Sequence, residues 1–137
     1  MKTHTTNYFD TFIQVADDCP VTKAEVPSQK KKEKSIATIQ FELISENPYQ
    51  YTSDDILFQC FAQKKSLEGD LKEARNQFFS KGQACLRSSP LTKRYGWGIH
   101  CNHEGKIALY GKDSDAYKHF SEDKRLKITK AMRSKKI

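Results

Sequence analysis

The sequence predicts an α+β domain with a short N-terminal strand, about five helices, and a β-hairpin at about 95–110 in a small antiparallel sheet. Three observations carry this reading. Apolar residues recur at helical spacing behind capping residues through the middle of the chain. Two strand-like runs, YGWGIHC and KIALY, flank the glycine-containing connection Asn102 to Gly105, the pattern of a hairpin. At 137 residues with fifteen aromatics, the chain is of a size to bury one core, so residues 1–137 are read as one domain.

In chain order, YFDTFIQVA over 8–16 is aromatic and β-branched with alternation at Thr11, Ile13 and Val15, which predicts a strand that Cys19-Pro20 ends. Residues 20–34 hold two prolines and finish in KKKEK, and this aperiodic polar stretch is expected to be an exposed loop. A helix capped by Ser35 is predicted to about Glu46, because Ile36, Ile39, Leu43 and Ile44 share a face, and Asn47-Pro48 stops it. At YTSDD, Thr52 or Ser53 caps a second helix, with Asp54 and Asp55 against the positive end of its dipole. Its apolar stripe is Ile56, Leu57, Cys60 and Phe61. Asp70 and Glu73 resemble a capping box for a third helix that Gly82 terminates. After the hairpin, Ser114 caps a short helix, and Ser121 caps a last one running through Leu126, Ile128 and Met132.

Charge narrows the choice of partners. The net charge is +7 and the pI about 9.2, which points to polyanions when the excess is concentrated. Seven basic residues and no acid lie in 124–137, leaving seventeen of each sign in the rest. The surplus therefore belongs to a basic C-terminal helix or tail over 124–137, read either as a solubility device or fraying helix end or as a contact with a polyanion. Cys19, Cys60, Cys85 and Cys101 are too widely spaced for a zinc motif and are read as reduced, buried thiols. With mean hydropathy of −0.79, no export signal at MKTHTTNYFD and no apolar run of membrane-spanning length, the expectation is a cytoplasmic protein with no membrane partner.

The densest stretch is SPLTKRYGWGIH, Ser89 to His100. Period 2 puts Tyr95, Trp97, Ile99 and Cys101 on a core face and Gly96, Gly98 and His100 on the other. Bare backbone marks a place where a ligand or another element comes close. Pro90 sets a turn, and Arg87, Lys93 and Arg94 supply fixed positive charge suited to phosphate or carboxylate. The candidate ligand-binding set is accordingly Arg87, Lys93, Arg94, Gly96, Gly98 and His100, and the function it implies is binding of an anionic ligand, either nucleic acid or a phosphorylated small molecule. The alternative structural meaning is a helix packed across the glycines, with Lys93 and Arg94 in solvent. Two rival functions are a small enzyme using His100 with Lys93 or Arg94, and an interaction domain in which the hairpin edge pairs with a second copy as a homo-oligomer. No catalytic residue is assigned, because no nucleophile elbow, phosphate loop or dinucleotide fingerprint is present. No metal site or cofactor is expected, since His100, Cys101 and His103 do not converge on one strand face.

Four blocks, HTTNYFDTFIQVADDCP, SENPYQYTSDD, FFSKGQACLRSSPLTKRYGWGIH and KAMRSKK, occur in that order, and with them the chain resembles a family of small bacterial proteins classed as a domain of unknown function. The resemblance implies a compact cytoplasmic α+β protein and carries no activity, substrate or catalytic residue.

Overall fold

Strand β1, Thr11–Gln14, has a burial pattern no edge strand would show: Thr11, Phe12 and Ile13 are each at most 1% exposed. Both its faces and both its edges are covered. In the computed structural model, which describes residues 4–27 and 34–133, the sheet order is β3-β2-β1-β4. Strands β2, Trp97–Cys101, and β3, Ile107–Gly111, form the expected hairpin, and β1 pairs antiparallel with β2 through Phe12 opposite His100. The fourth strand, β4, Lys127–Lys130, runs parallel to β1.

That strand corrects two expectations. The sheet is mixed, and the helix expected through Leu126, Ile128 and Met132 is replaced over 127–130 by an edge strand. Three long-range backbone bonds hold it: Lys127 N–H to the Asp10 carbonyl, Ala131 N–H to Gln14, and Met132 N–H to Arg87. Lys130 and Arg133 then pair with Asp17, so part of the basic excess is neutralised within the domain. Lysines on such an edge also oppose pairing with a further strand. The last four residues of the basic tail, and the lysines of KKKEK up to position 33, lie outside the described residues.

Helices α1, Ile36–Glu46, and α2, Ser53–Lys64, begin where the capping residues place them. The Thr38 amide donates to Ser35 Oγ, and Thr52 forms a reciprocal capping box with Asp55. Helix α3, Lys72–Phe78, starts at Leu71 without a side-chain cap, so the capping box expected from Asp70 and Glu73 does not form; Asp70 instead accepts from the Lys72 amide. The proline turn at Pro90 is the first residue of a one-turn helix, α4, Pro90–Lys93, capped by Ser89, because proline's fixed φ and missing N–H suit the first helical position. Helix α5, Asp115–Glu122, is capped by Ser114 as expected.

One sheet face packs against α1, α2 and α4 through Ile13, Ile99, Cys101 and Ile107 with Ile44, Ile56, Leu86 and Leu91, all at most 1% exposed. Helix α5 covers the other face with Tyr117 and Phe120 against Phe12. A satellite cluster of Phe58, Ala62 and Phe79 joins α2 to α3. This is a single α+β domain, and among the described residues no helix is long and apolar enough to cross a membrane.

Candidate functional site

The glycine track is a packing surface. A Cβ built on Gly98 would lie 2.6 Å from Tyr117 Cε2 and 2.7 Å from Phe12 Cζ, so the space alanine would need is filled by α5 and β1. Gly96 has φ +82°, and a Cβ there would lie 2.9 Å from Val21 and 3.2 Å from the Ala24 backbone. That cover is fastened down. Glu25 N–H donates to the Tyr95 carbonyl, Trp97 Nε1 to the Glu25 carbonyl, Lys112 Nζ to Val21, and the Ala24 amide to Asp113. The described part of the 20–34 stretch is therefore anchored to the hairpin. The alternation of faces in β2 is as expected, but the glycines accommodate the protein's own side chains and leave no open groove.

The charges are dispersed as well. Arg87 Nε donates to the Lys130 carbonyl at 2.7 Å, which commits this side chain to docking β4. Lys93 closes α4 and Arg94 is its exposed C-cap. Among the described residues neither has a carboxylate within ion-pair distance.

His100 sits in an aromatic box beneath α5. Its ring stacks on Phe120 with centroids 4.3 Å apart, and its Nδ1 is 2.8 Å from the Tyr49 hydroxyl, which in turn lies 2.8 Å from the Tyr110 hydroxyl. Burial holds the imidazole below its ordinary pKa of 6.5, opposed by the charges of Asp10 and Asp123. Burial also raises the Tyr49 phenol, and its bond to Tyr110 adds to the effect, so the phenol stays protonated. This arrangement favours a neutral imidazole accepting from Tyr49.

A pH dependence follows. With the folded pKa depressed, the unfolded chain binds the proton more readily, so the His100 contribution to stability is complete above about pH 6.5 and is lost as pH falls through the folded value. Thermal melts taken from about pH 7.5 down to about pH 5 should show a steeper loss for the natural chain than for His100→Phe. Parallel curves would show that the imidazole is not held neutral.

A mostly apolar cleft lies elsewhere, beside the core. It has a volume of about 630 Å³ and is walled by Ile36 and Gln40 of α1, by Leu57, Cys60, Phe61 and Lys64 of α2 with Lys65 at its end, and by the 84–90 stretch. Its size falls within the usual range for small-molecule sites. The reason it exists is local: α2 carries apolar residues on three sides. Ile56 enters the main core, Phe58 and Ala62 face α3, and Leu57 and Phe61 are left half-buried at the opening. Across from them Ile36 is 47% exposed. Gln40 and Ser89 form a hydrogen-bonded pair in the wall at 2.6 Å.

Two thiols reach the same cleft. Burial raises the Cys60 pKa, with the Lys64 ammonium one turn away opposing it. Cys85 Sγ is 3.3 Å from the Tyr8 hydroxyl. Both are free, as are Cys19 and Cys101, and burial pushes the Cys101 thiol up to about 12. Among the described residues no cluster of three His, Cys, Asp or Glu side chains could hold a metal ion. The cleft was not legible as a site in the sequence, because its apolar wall residues Ile36, Leu57, Cys60 and Phe61 read as parts of ordinary helical stripes. The available signal was the excess width of the α2 stripe, with five apolar side chains among Ile56, Leu57, Phe58, Cys60 and Phe61.

A model described as "Family of unknown function (DUF6157)" matches residues 3–137, and the chain belongs to that family. No curated protein and no solved structure matches it.

Proposed function

We propose that this member of a family of unknown function is a binding module for an amphipathic anion, an alkyl chain ending in a carboxylate, held in the cleft between α1, α2 and the 84–90 stretch. The observation that carries the reading is the pairing of an apolar cleft with two lysines, Lys64 and Lys65, at one end of its wall. Apolar lining rewards an alkyl chain by about 0.8 kcal/mol per buried methylene. An ammonium at the end of that lining rewards a terminal anion. Lys64 Nζ also contacts the Lys34 carbonyl at 3.3 Å, which orients it near the start of α1. Anion recognition thus moves from the glycine track to a different surface. The four free thiols fit a reducing cytoplasm as the setting.

The test is calorimetric titration with dodecanoate and with dodecanol, which share a chain and differ in charge. The acid should bind the natural chain about three- to tenfold more tightly, a preference of the size exposed charge contacts give. Lys64→Gln/Lys65→Gln should remove the preference and leave the alcohol unchanged. Lys93→Gln/Arg94→Gln should retain it. Equal binding of acid and alcohol, or no binding, defeats the proposal; loss of the preference in the Lys93/Arg94 pair would return the site to the SPLTKRYGWGIH segment. Binding of a short oligonucleotide with a steep salt dependence would favour nucleic acid instead.

A further inference from the structure

One polar wall residue of the cleft between α1, α2 and the 84–90 stretch is almost fully buried. Gln40, 3% exposed, lines it from the second turn of α1. Its carboxamide is held by one end. Ser89 Oγ accepts from the Leu91 amide at 3.1 Å, as the cap of α4, and donates to Gln40 Oε1 at 2.6 Å. The amide oxygen is therefore committed to Ser89, and Nε2, which carries two N–H donors, has no hydrogen-bond partner among the described residues. It is not sealed either, since among those residues Ser121 Oγ is the one polar side-chain atom closed to solvent without a partner. The Nε2 donors are accordingly open, and the opening that Gln40 lines is the cleft.

We infer that Gln40 is a ligand-binding residue that selects an alkyl carboxylate bearing a keto oxygen part-way along its chain. The inference rests on the reading of the cleft as an alkyl carboxylate site. Lys64 Nζ meets the Lys34 carbonyl just ahead of α1, so the charged end of the cleft lies at the start of that helix. Gln40 stands one turn beyond Ile36, about 6 Å along the axis at about 1.5 Å per residue. A chain with its carboxylate at the lysines therefore passes Ile36 before it reaches the Gln40 amide. A plain alkyl chain laid over Nε2 strips its donors of water and offers no acceptor in return. A keto oxygen at that depth accepts from them, whereas one at the methyl end does not. Gln40 thus reads the middle of the ligand, as the lysines read its head group.

The experiment is calorimetric titration of the natural chain, Gln40→Met and Gln40→Leu with dodecanoate and with two isomeric oxododecanoates, one with its ketone midway along the chain and one with it next to the terminal methyl group. The natural chain should bind the midway isomer about three- to tenfold more tightly than the terminal one, the ratio a neutral hydrogen bond gives. Both variants should bring that ratio to within about twofold of unity, and they should bind dodecanoate no more weakly than the natural chain does, since no donor is then desolvated. In nitrogen–proton spectra of the natural chain, the Gln40 side-chain amide signals should move further with the midway isomer than with the terminal one, a readout that holds if neither variant folds. Equal affinity of the natural chain for the two isomers overturns the inference, as does a ratio that survives in a folded variant. In both cases binding of dodecanoate leaves the cleft reading intact. Absence of binding by dodecanoate and by both isomers defeats the cleft reading and the inference together.

Discussion

Gly98→Ala is expected to destabilise the domain by about 2–3 kcal/mol, on the order of a 10 °C fall in melting temperature for a chain of this size. The added methyl would sit within 3 Å of three ring atoms, two of Tyr117 and one of Phe12. Neither ring has freedom to yield. Phe12 is fully buried and stacks on Phe120, while Tyr117 is held by the Val15 amide donating to its hydroxyl at 2.9 Å. Relief would require lifting α5 from the sheet, which also disturbs the stack of Phe120 on His100. Gly82→Ala is the control: nothing lies within 4 Å of its built Cβ, and the substitution should be neutral or slightly stabilising through the unfolded chain. Melts of the two variants decide the matter. A loss below about 0.5 kcal/mol at Gly98 would mean that α5 does not seal this face, and a ligand groove over the glycines would again be tenable.

That outcome bears on what the sequence makes readable. The bare positions of β2 do signal a close approach, since glycine's absent side chain is what permits Tyr117 to lie against the strand. What sequence spacing cannot specify is the occupant, and here it is the same chain: α5 at Gly98 and residues 21–24 at Gly96. Local signals fare best: Ser35, Thr52 and Ser114 cap their helices because a hydroxyl next to free amides acts within a few residues. Strand β4 escapes because KITK has lysines at both ends and gains its strand conformation from pairing with β1, more than a hundred positions away. The cleft escapes for the same reason. Its walls come from 36–40, 57–65 and 84–90, and the property that makes them a site, incomplete burial of Ile36, Leu57 and Phe61, exists only after the helices have docked.

Asp54→Ala should cost about 3 kcal/mol and release the N-terminal segment, an effect invisible to a reading of Asp54 as a helix-dipole residue alone. Of the two aspartates, Asp55 is the one in the capping box with Thr52. The Asp54 carboxylate instead accepts from Thr5 Oγ1, from the Thr6 amide and from Thr6 Oγ1, each at 2.7 Å, while its own amide donates to Asn7 Oδ1 at 2.9 Å. Thr6 Oγ1 also lies 2.8 Å from Ser53 Oγ. Hydrogen bonds to a charged acceptor contribute about 1.5–3 kcal/mol each, but three on one buried group do not add independently, which sets the figure near 3. Alanine leaves the Thr6 amide, on a residue 6% exposed, without its acceptor. The segment it fixes reaches farther than α2: His4 N–H donates to the Phe79 carbonyl at the end of α3, and Tyr8 meets Cys85 in the wall of the cleft. Asp54→Asn, which keeps one acceptor oxygen, should cost about 1 kcal/mol, and Thr6→Val combined with Asp54→Ala should cost less than the sum of the two alone. Amide exchange separates this clasp from a general weakening, because the Thr6 amide should lose protection in Asp54→Asn before the β2 and β3 amides do. Strict additivity of the pair, or undiminished protection at Thr6, would show that the carboxylate does not hold the segment.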